Sequence, residues 1–251
     1  ATPTDTLVSF SKLLVNLGFR RLLIEKPVSL WSREIEELSD FVSKSEAFAM
    51  CAYNRVAYPS VIEVLARCDQ EGGVTSIAYD FTELIRADWT ERFPPEELMR
   101  WGLANSVHVL SMAHGIGGLP SRWNSYRTGG LEWHPTGSIF VGSGMTNNNV
   151  PFSYHADWDS KARWSVEVHT SQSTYKLCPL EQVFRKSSGL GNYEEVHVEV
   201  YAPKAKAGLA EQVAAMLHDG VGAMIPMSSL EDAAALTRYG EDVFGYSAGM
   251  N

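Results

Sequence analysis

Cysteine is scarce in this chain: three residues in 251, at positions 51, 68 and 178. An odd, widely spaced set with no CxxC pair makes neither a disulfide framework nor a thiolate zinc site, and it suits a reducing, cytoplasmic setting. Cationic runs are equally scarce, none longer than Arg20-Arg21, and 21 Lys+Arg stand against 30 Asp+Glu for a net charge of -9. That balance argues against nucleic acid or an anionic membrane as partner, because phosphate binding depends on clustered cations. Apolar runs such as Leu22-Leu23-Ile24 and Ala47 to Ala52 fall far short of the ~20 residues that cross a bilayer. Metal-ligand spacing is missing too: His155-Ala156-Asp157 has no third ligand at a recognisable distance, and the seven histidines are scattered. Gly142-Ser143-Gly144 is not a GxSxG elbow and no cysteine has a base placed by a motif, so hydrolase chemistry is disfavoured.

What remains is ordinary globular composition, 45% hydrophobic with 20 Gly and 11 Pro, at a length that supports a large core without staples. Leu7, Phe10, Leu13, Leu14 and Leu17 recur at helical spacing, with Thr4, Asp5 or Thr6 as cap and Gly18 as stop. Arg21 to Glu25 reads as a buried strand closed by Lys26-Pro27, a second helix follows Ser32, and Ala47 to Tyr53 is another apolar run. Alternation of helix and strand over about fifty residues is the pattern of a parallel βαβ sheet.

Beyond that point the pattern changes. A helix from Pro59 to Cys68 leads through Gly72-Gly73 to a strand over Thr75–Phe81, and a single helix is expected from Pro95 to Ala113. Successive antiparallel strands are expected near 121–128, 137–142, 152–158, 163–170, 174–177 and 196–201, with helices over 208–218 and 230–244 closing the chain. The fold class is α/β plus α+β: a short βα portion, then a domain with a mostly antiparallel open sheet and helices on one face.

Three features carry chemistry. Ala1-Thr2-Pro3-Thr4-Asp5-Thr6 leads into a helix start, Glu25-Lys26-Pro27 lies at a strand end where parallel sheets present ligand-facing groups, and Asn105-Ser106-Val107-His108 lies in a helix. Together with Tyr53-Asn54-Arg55-Val56-Ala57-Tyr58-Pro59, the stretch His134 to Gly144 and Pro151 to His155, these motifs resemble, in order and spacing, the Gfo/Idh/MocA family of NAD(P)-dependent oxidoreductases, in particular a sugar-processing branch.

The resemblance implies hydride transfer between a sugar-type hydroxyl and NAD or NADP. It makes residues 1–52 the C-terminal part of a Rossmann domain, whose earlier part, with the phosphate loop, is expected before Ala1, and residues 53–251 the substrate and dimerisation domain. The nearest glycine cluster, Gly115-Ile116-Gly117-Gly118, follows a helix and has the wrong spacing for a phosphate loop. By resemblance, Lys26 and His108 are catalytic, the lysine polarising the reacting oxygen and the histidine exchanging its proton. Thr2, Pro3, Thr4, Glu25 and Lys26 lie along the cofactor; Lys26, Asn54, Arg55, Asn105 and His108 face the substrate; no metal is expected. Arg122, Trp123, Arg127, Arg163 and Trp164 are weaker candidates for lining a sugar site. Relatives often carry an acid four residues before the histidine, where this chain has Ala104. That departure leaves a second expectation open, a non-catalytic sugar-binding or dimerisation module. A homodimer or higher homo-oligomer through the open sheet face is also implied.

Overall fold

The helical and strand periods near the start of the chain produce a strand pair packed against helices. In a computed structural model, which describes residues 3–200, 202, 204–218 and 225–246, strands β1 (Arg21–Ile24) and β2 (Phe48–Cys51) run parallel with Ile24 opposite Cys51. Leu22, Ile24, Ala49 and Cys51 point inward. Helices α1 (Leu7–Asn16) and α2 (Ser32–Ser43) flank them, α2 burying Ile35, Leu38 and Val42 at helical spacing. None of Thr4, Asp5 or Thr6 caps α1 through its side chain; Pro3 leads into a short 3-10 turn over Thr4–Thr6, and the Thr6 hydroxyl donates back to the Pro3 carbonyl.

After α3 (Pro59–Gln70), an eight-stranded sheet fills the rest of the molecule. Its strands are β3 (Ser76–Asp80), β4 (Pro120–Thr128), β5 (Ile139–Thr146), β6 (Pro151–Asp157), β7 (Ser165–His169), β8 (Thr174–Leu177), β9 (Val183–Lys186) and β10 (Glu194–Val196), in the order β10-β9-β8-β7-β3-β6-β5-β4. The sheet is mixed. β3 is inserted between β6 and β7, parallel to the first and antiparallel to the second, so the strands after residue 120 are not the unbroken antiparallel succession expected.

The strand expected over 196–201 ends at Val196 within the described residues, because its partner β9 begins at Val183, directly opposite. The Val196 and Val198 alternation reflects packing on the core edge. Strand β9 lacks a legible alternation: only Val183 is fully buried, and Arg185 reaches back to the Glu71 carboxylate at 2.7 Å.

Two helices cover one face of the large sheet. Helix α6 (Val107–Gly117) lies on β3 and β7, and α8 (Leu230–Phe244) lies on β4 and on α2. The intervening helix is α7 (Leu209–Leu217). Between the helices and the sheet, Tyr79, Phe81, Phe140, Phe152, Tyr154, Trp158 and Phe244 form a continuous aromatic core with tilted and edge-on contacts. Gly142 is required under it, since a Cβ there would lie 2.3 Å from the Tyr154 hydroxyl. The uncovered face mixes Tyr126 and Val141 with Ser143, Ser153, His155 and Glu167. The chain then returns to the small sheet: β11 (Ser228–Ser229) pairs antiparallel to β2, and Ser229 and Asp232 cap α8 reciprocally at 3.0 Å.

The single helix expected over Pro95–Ala113 is broken. Two short helices, α4 (Trp89–Arg92) and α5 (Pro95–Met99), precede a wide π-type turn at Gly102–Ser106, and α6 starts only at Val107. The break occurs because Arg100 leaves helical geometry to bury its guanidinium. It donates to the Leu30 carbonyl at 2.9 Å and the Glu241 carboxylate at 2.8 Å, stacked 3.6 Å from the Trp31 ring centroid. Glu241 also accepts from Ser32 N–H and Ser32 Oγ at 3.1 and 2.6 Å. Gly102 is pinned next: its N–H donates to the Tyr246 hydroxyl at 3.0 Å, and a Cβ would meet the Phe244 ring at 2.4 Å. The Tyr246 hydroxyl donates in turn to His134 Nε2 at 2.6 Å, while His134 Nδ1 donates to the Gly137 carbonyl at 2.7 Å. Burial lowers the His134 pKa to about 4, which keeps the ring a neutral acceptor.

Glu241→Ala leaves Arg100 buried without its counter-charge and is expected to cost about 3–5 kcal/mol in urea unfolding. A loss below about 1 kcal/mol would mean the ion pair does not hold these segments together.

Candidate functional site

The carboxyl ends of parallel strands collect side chains that leave the sheet in the same direction. Lys26 follows β1 and Arg55 follows β2, so the strand pair brings them to one end of the small sheet. The Lys26–Pro27 peptide is cis. Lys26 Nζ donates to the Ala104 carbonyl at 2.7 Å, which joins the strand end to the π-type turn. Four residues on, His108 opens α6, only 8% exposed, its Nδ1 buried and without a partner. Lys26 and His108, 82 positions apart in the chain, are thereby brought near enough for the lysine's charge to act on the ring. The widened turn matters here, because an insertion of this kind re-aims the side chains that follow it.

Two more segments close the site. Trp164, just before β7, stands with its ring centroid 6.0 Å from that of His108 and 5.0 Å from the Arg55 guanidinium. Tyr58 lies 6.0 Å from the same guanidinium. Glu83, just after β3, is buried and accepts from Asn105 Nδ2 at 2.9 Å and Ser106 Oγ at 2.6 Å.

The charges here act on one another. Burial, then the positive charge of Arg55, lowers the Lys26 pKa to about 8, against opposing pulls from Glu25, Cys51 and Glu97. Burial, then Lys26, Arg55 and Lys206, holds His108 well below the usual imidazole range, so the ring is neutral at neutral pH. Burial lowers Arg55 too, partly offset by Tyr58, Glu181 and Glu83, while Arg163 lowers it further. Glu83 moves the other way: burial raises it to about 7 against the hydrogen bonds from Ser106 and Asn105.

The other expected residues divide. Asn54 is buried, but its amide donates to the Ala207 carbonyl at 3.2 Å and so ties down the approach to α7. Asn105 gives its amide N–H to Glu83. Glu25 is exposed and accepts from the Lys26 backbone N–H at 3.2 Å. Thr4 donates to Glu97 at 3.1 Å, and with Pro3, Trp31, Glu34 and Glu96 it lines a cavity of about 500 Å³. Glu97 borders that cavity and also acts on the Lys26 charge. Thr2 lies outside the described residues.

Of the five weaker candidates, Arg163 and Trp164 reach the site. Trp123 and Arg127 are taken up by Asp242 at the end of α8, at 2.6 and 3.3 Å, and Arg122 shares their strand. Sequence reasoning missed Glu83 and Lys206. An acid directly after a strand was the available signal for Glu83; Lys206 carried none. Among the described residues no group of three or more His, Cys, Asp or Glu is placed to hold a metal ion, and no helix is long and apolar enough to cross a membrane.

Glu83 gives a pH-dependent test. Its folded pKa of about 7 exceeds its ordinary 4.5, so its contribution to stability is complete below about pH 4.5 and is lost as pH rises through about 7. Glu83→Gln is expected to gain about 2–3 kcal/mol on the parent chain between about pH 5 and pH 8 in urea unfolding. A gain in the opposite direction would mean the carboxyl is not held protonated by burial.

No family model and no curated protein matches the chain. Solved structures do. UDP-N-acetylglucosamine 3-dehydrogenase from Acidithiobacillus ferrooxidans superposes with a TM-score of 0.74 at 12% identity, covering 99% of this chain and 77% of that one. An aldose-aldose oxidoreductase from Caulobacter crescentus gives 0.72 at 15% identity, covering 99% and 75%. An inositol dehydrogenase homologue from Azotobacter vinelandii, solved with NAD+, gives 0.71 at 12% identity, covering 99% and 75%. The chain has the fold of these oxidoreductases; in it a mixed eight-stranded sheet with helices on one face stands beside a small three-stranded sheet whose first two strands are parallel.

Proposed function

We propose that the protein is a Gfo/Idh/MocA-type oxidoreductase that moves a hydride between a sugar-type hydroxyl carbon and NAD or NADP. In this reading residues 1–52 form the dinucleotide side, as the later part of a Rossmann domain, and residues 53–251 the substrate side, with the uncovered sheet face as the surface through which copies pair. The observation that carries it is Lys26, at the carboxyl end of a parallel strand, bonded to the Ala104 carbonyl one helical turn before His108 and acting on that ring's charge.

The residues present suit the reacting end of a dinucleotide. His108, whose Nδ1 is buried without a partner, feels the Lys26 charge, and Glu97, which lines the cavity with Pro3 and Thr4, acts on that same charge. The phosphates have no GxGxxG strand–helix turn to receive them within residues 1–251. When bound, nicotinamide supplies the hydride acceptor or donor. His108, neutral at neutral pH, takes the hydroxyl proton on its unpartnered Nδ1 as the carbon is oxidised, and returns it in the reverse direction. Lys26, an ammonium below about pH 8, polarises the same oxygen and holds its developing negative charge. Asn105 and Ser106 present His108 through their bonds to Glu83. The similar structures named above include a UDP-N-acetylglucosamine 3-dehydrogenase and an aldose-aldose oxidoreductase, with which this reading is compatible.

Ala104 in place of a helix acid favours one second reading, a non-catalytic sugar-binding or dimerisation module. Calorimetry with NAD+ and NADP+ separates the two, since the module is expected to bind neither.

The test is NAD(P)H absorbance with a panel of sugars and sugar derivatives. Lys26→Ala is expected to lower kcat by ~10²-fold or more with the melting temperature little changed. In the parent protein kcat is expected to fall as pH rises through about 8, where Lys26 loses its proton. The residual activity of Lys26→Arg is expected to lack that fall, because a guanidinium stays charged. Near-normal turnover in Lys26→Ala would remove the lysine from the chemistry.

A further inference from the structure

Positive charge gathers on one side of the site without negative charge to meet it. Arg55, Arg163 and Lys206 come from three separate segments, and each is close enough to act on a neighbour's charge. Among the described residues none of the three has a carboxylate within ion-pair distance. The two acids that act on Arg55 are engaged elsewhere: Glu83 by Asn105 and Ser106, and Glu181 by the Tyr58 hydroxyl at 3.3 Å.

Polar atoms left without partners cluster at the same place. Arg55 Nε and Nη1 are both buried and unpartnered, and so is Trp164 Nε1, whose ring stacks on that guanidinium. All three are donors, and an indole N–H and a guanidinium can do nothing else. Removing such groups from water without acceptors costs free energy, and buried polar groups in folded proteins are almost always satisfied. No described residue supplies the missing acceptor; the group that does so has to tolerate several cations around it, and a planar guanidinium favours a carboxylate or a phosphate oxygen.

We infer that the ligand of this site carries an anionic group, a carboxylate or a phosphate, seated on Arg55 and Trp164 with Arg163 and Lys206 at the rim. Taken with the function proposed above, on which the sugar part of the inference rests, the substrate is a sugar acid or a sugar phosphate rather than a neutral polyol. The anion does more than anchor the substrate. It offsets the repulsion between Arg55 and Lys26 and the pull of both on His108, so binding and the protonation of the two reactive groups favour one another.

The test is binding without added dinucleotide, followed by tryptophan fluorescence and calorimetry, with D-glucuronate, D-glucose 6-phosphate and D-glucose as probes. At least one of the two anions is expected to bind ~10-fold or more tightly than glucose, and which of them does so identifies the group as carboxylate or phosphate. In Arg55→Gln that preference is expected to shrink to about two-fold or less with glucose binding retained. Should Arg55→Gln fail to fold, the exposed double variant Arg163→Gln/Lys206→Gln serves instead, with an expected loss of ~3- to 5-fold in anion affinity and a weaker salt dependence. The inference is overturned if the parent protein binds all three probes alike or none of them, if folded Arg55→Gln keeps the preference, or if the rim variant changes nothing. Anion binding without hydride transfer would refute the proposed function and leave this inference standing. Turnover confined to neutral sugars would do the reverse.

Discussion

The Glu241 carboxylate is the point on which the architecture turns. It receives the start of α2 through Ser32 and the segment between α5 and α6 through Arg100, while belonging itself to α8. Three stretches far apart in the chain are thereby fixed at one charge, inside a region where an unpaired charge is costly. Because Arg100 has to reach that carboxylate, the backbone cannot run straight from Pro95 into α6, and the π-type turn is the consequence. Tyr246 and His134 then hold the turn at Gly102. The position of the Ala104 carbonyl, and so of Lys26 and His108, is a result of this buried network more than of local helix propensity.

The site assembled there keeps its charges in tension. Lys26 and Arg55 lose solvent and repel one another; His108 is kept neutral by the same neighbours; Glu83 is pulled toward protonation although two donors favour its ionised form. Groups whose environments push their pKa values toward neutrality are suited to moving protons near pH 7. The arrangement also gives the turn a carboxyl, although Ala104 on the turn itself is not an acid. Glu83 comes from the end of β3 instead, and reaches the turn through Asn105 and Ser106.

Much of the framework was legible from residue order. Helical spacing located α1, α2 and α3, and alternation located β3 within a residue or so, because the burial of one face imposes a period on the chain; the ranges expected for β8 and α8 also match. What escaped was set by partners. Strand β9 has almost no alternation, since its identity comes from lying between β8 and β10; β11 is two residues long and exists only because β2 offers an edge. The insertion of β3 between β6 and β7 is a matter of topology that periodicity does not carry. Pro95 to Ala113 read as one helix because the sequence gives no sign that Arg100 has a buried partner 141 positions away.

The sequence by itself determined most of the helices and strands, the strand-end position of Lys26 and the helical setting of His108, since these depend on neighbours along the chain; that His108 stands at a helix start was decided by the buried network. Only the tertiary structure decided that Glu83, Arg163, Trp164 and Lys206 join them, that Asn54 turns away to hold Ala207, and that Trp123 and Arg127 belong to Asp242. The physical reason is that desolvation and Coulomb interaction depend on distance through space. Six short segments, around residues 26, 55, 83, 108, 163 and 206, acquire their shifted charges from one another once the two sheets have brought them to a common end.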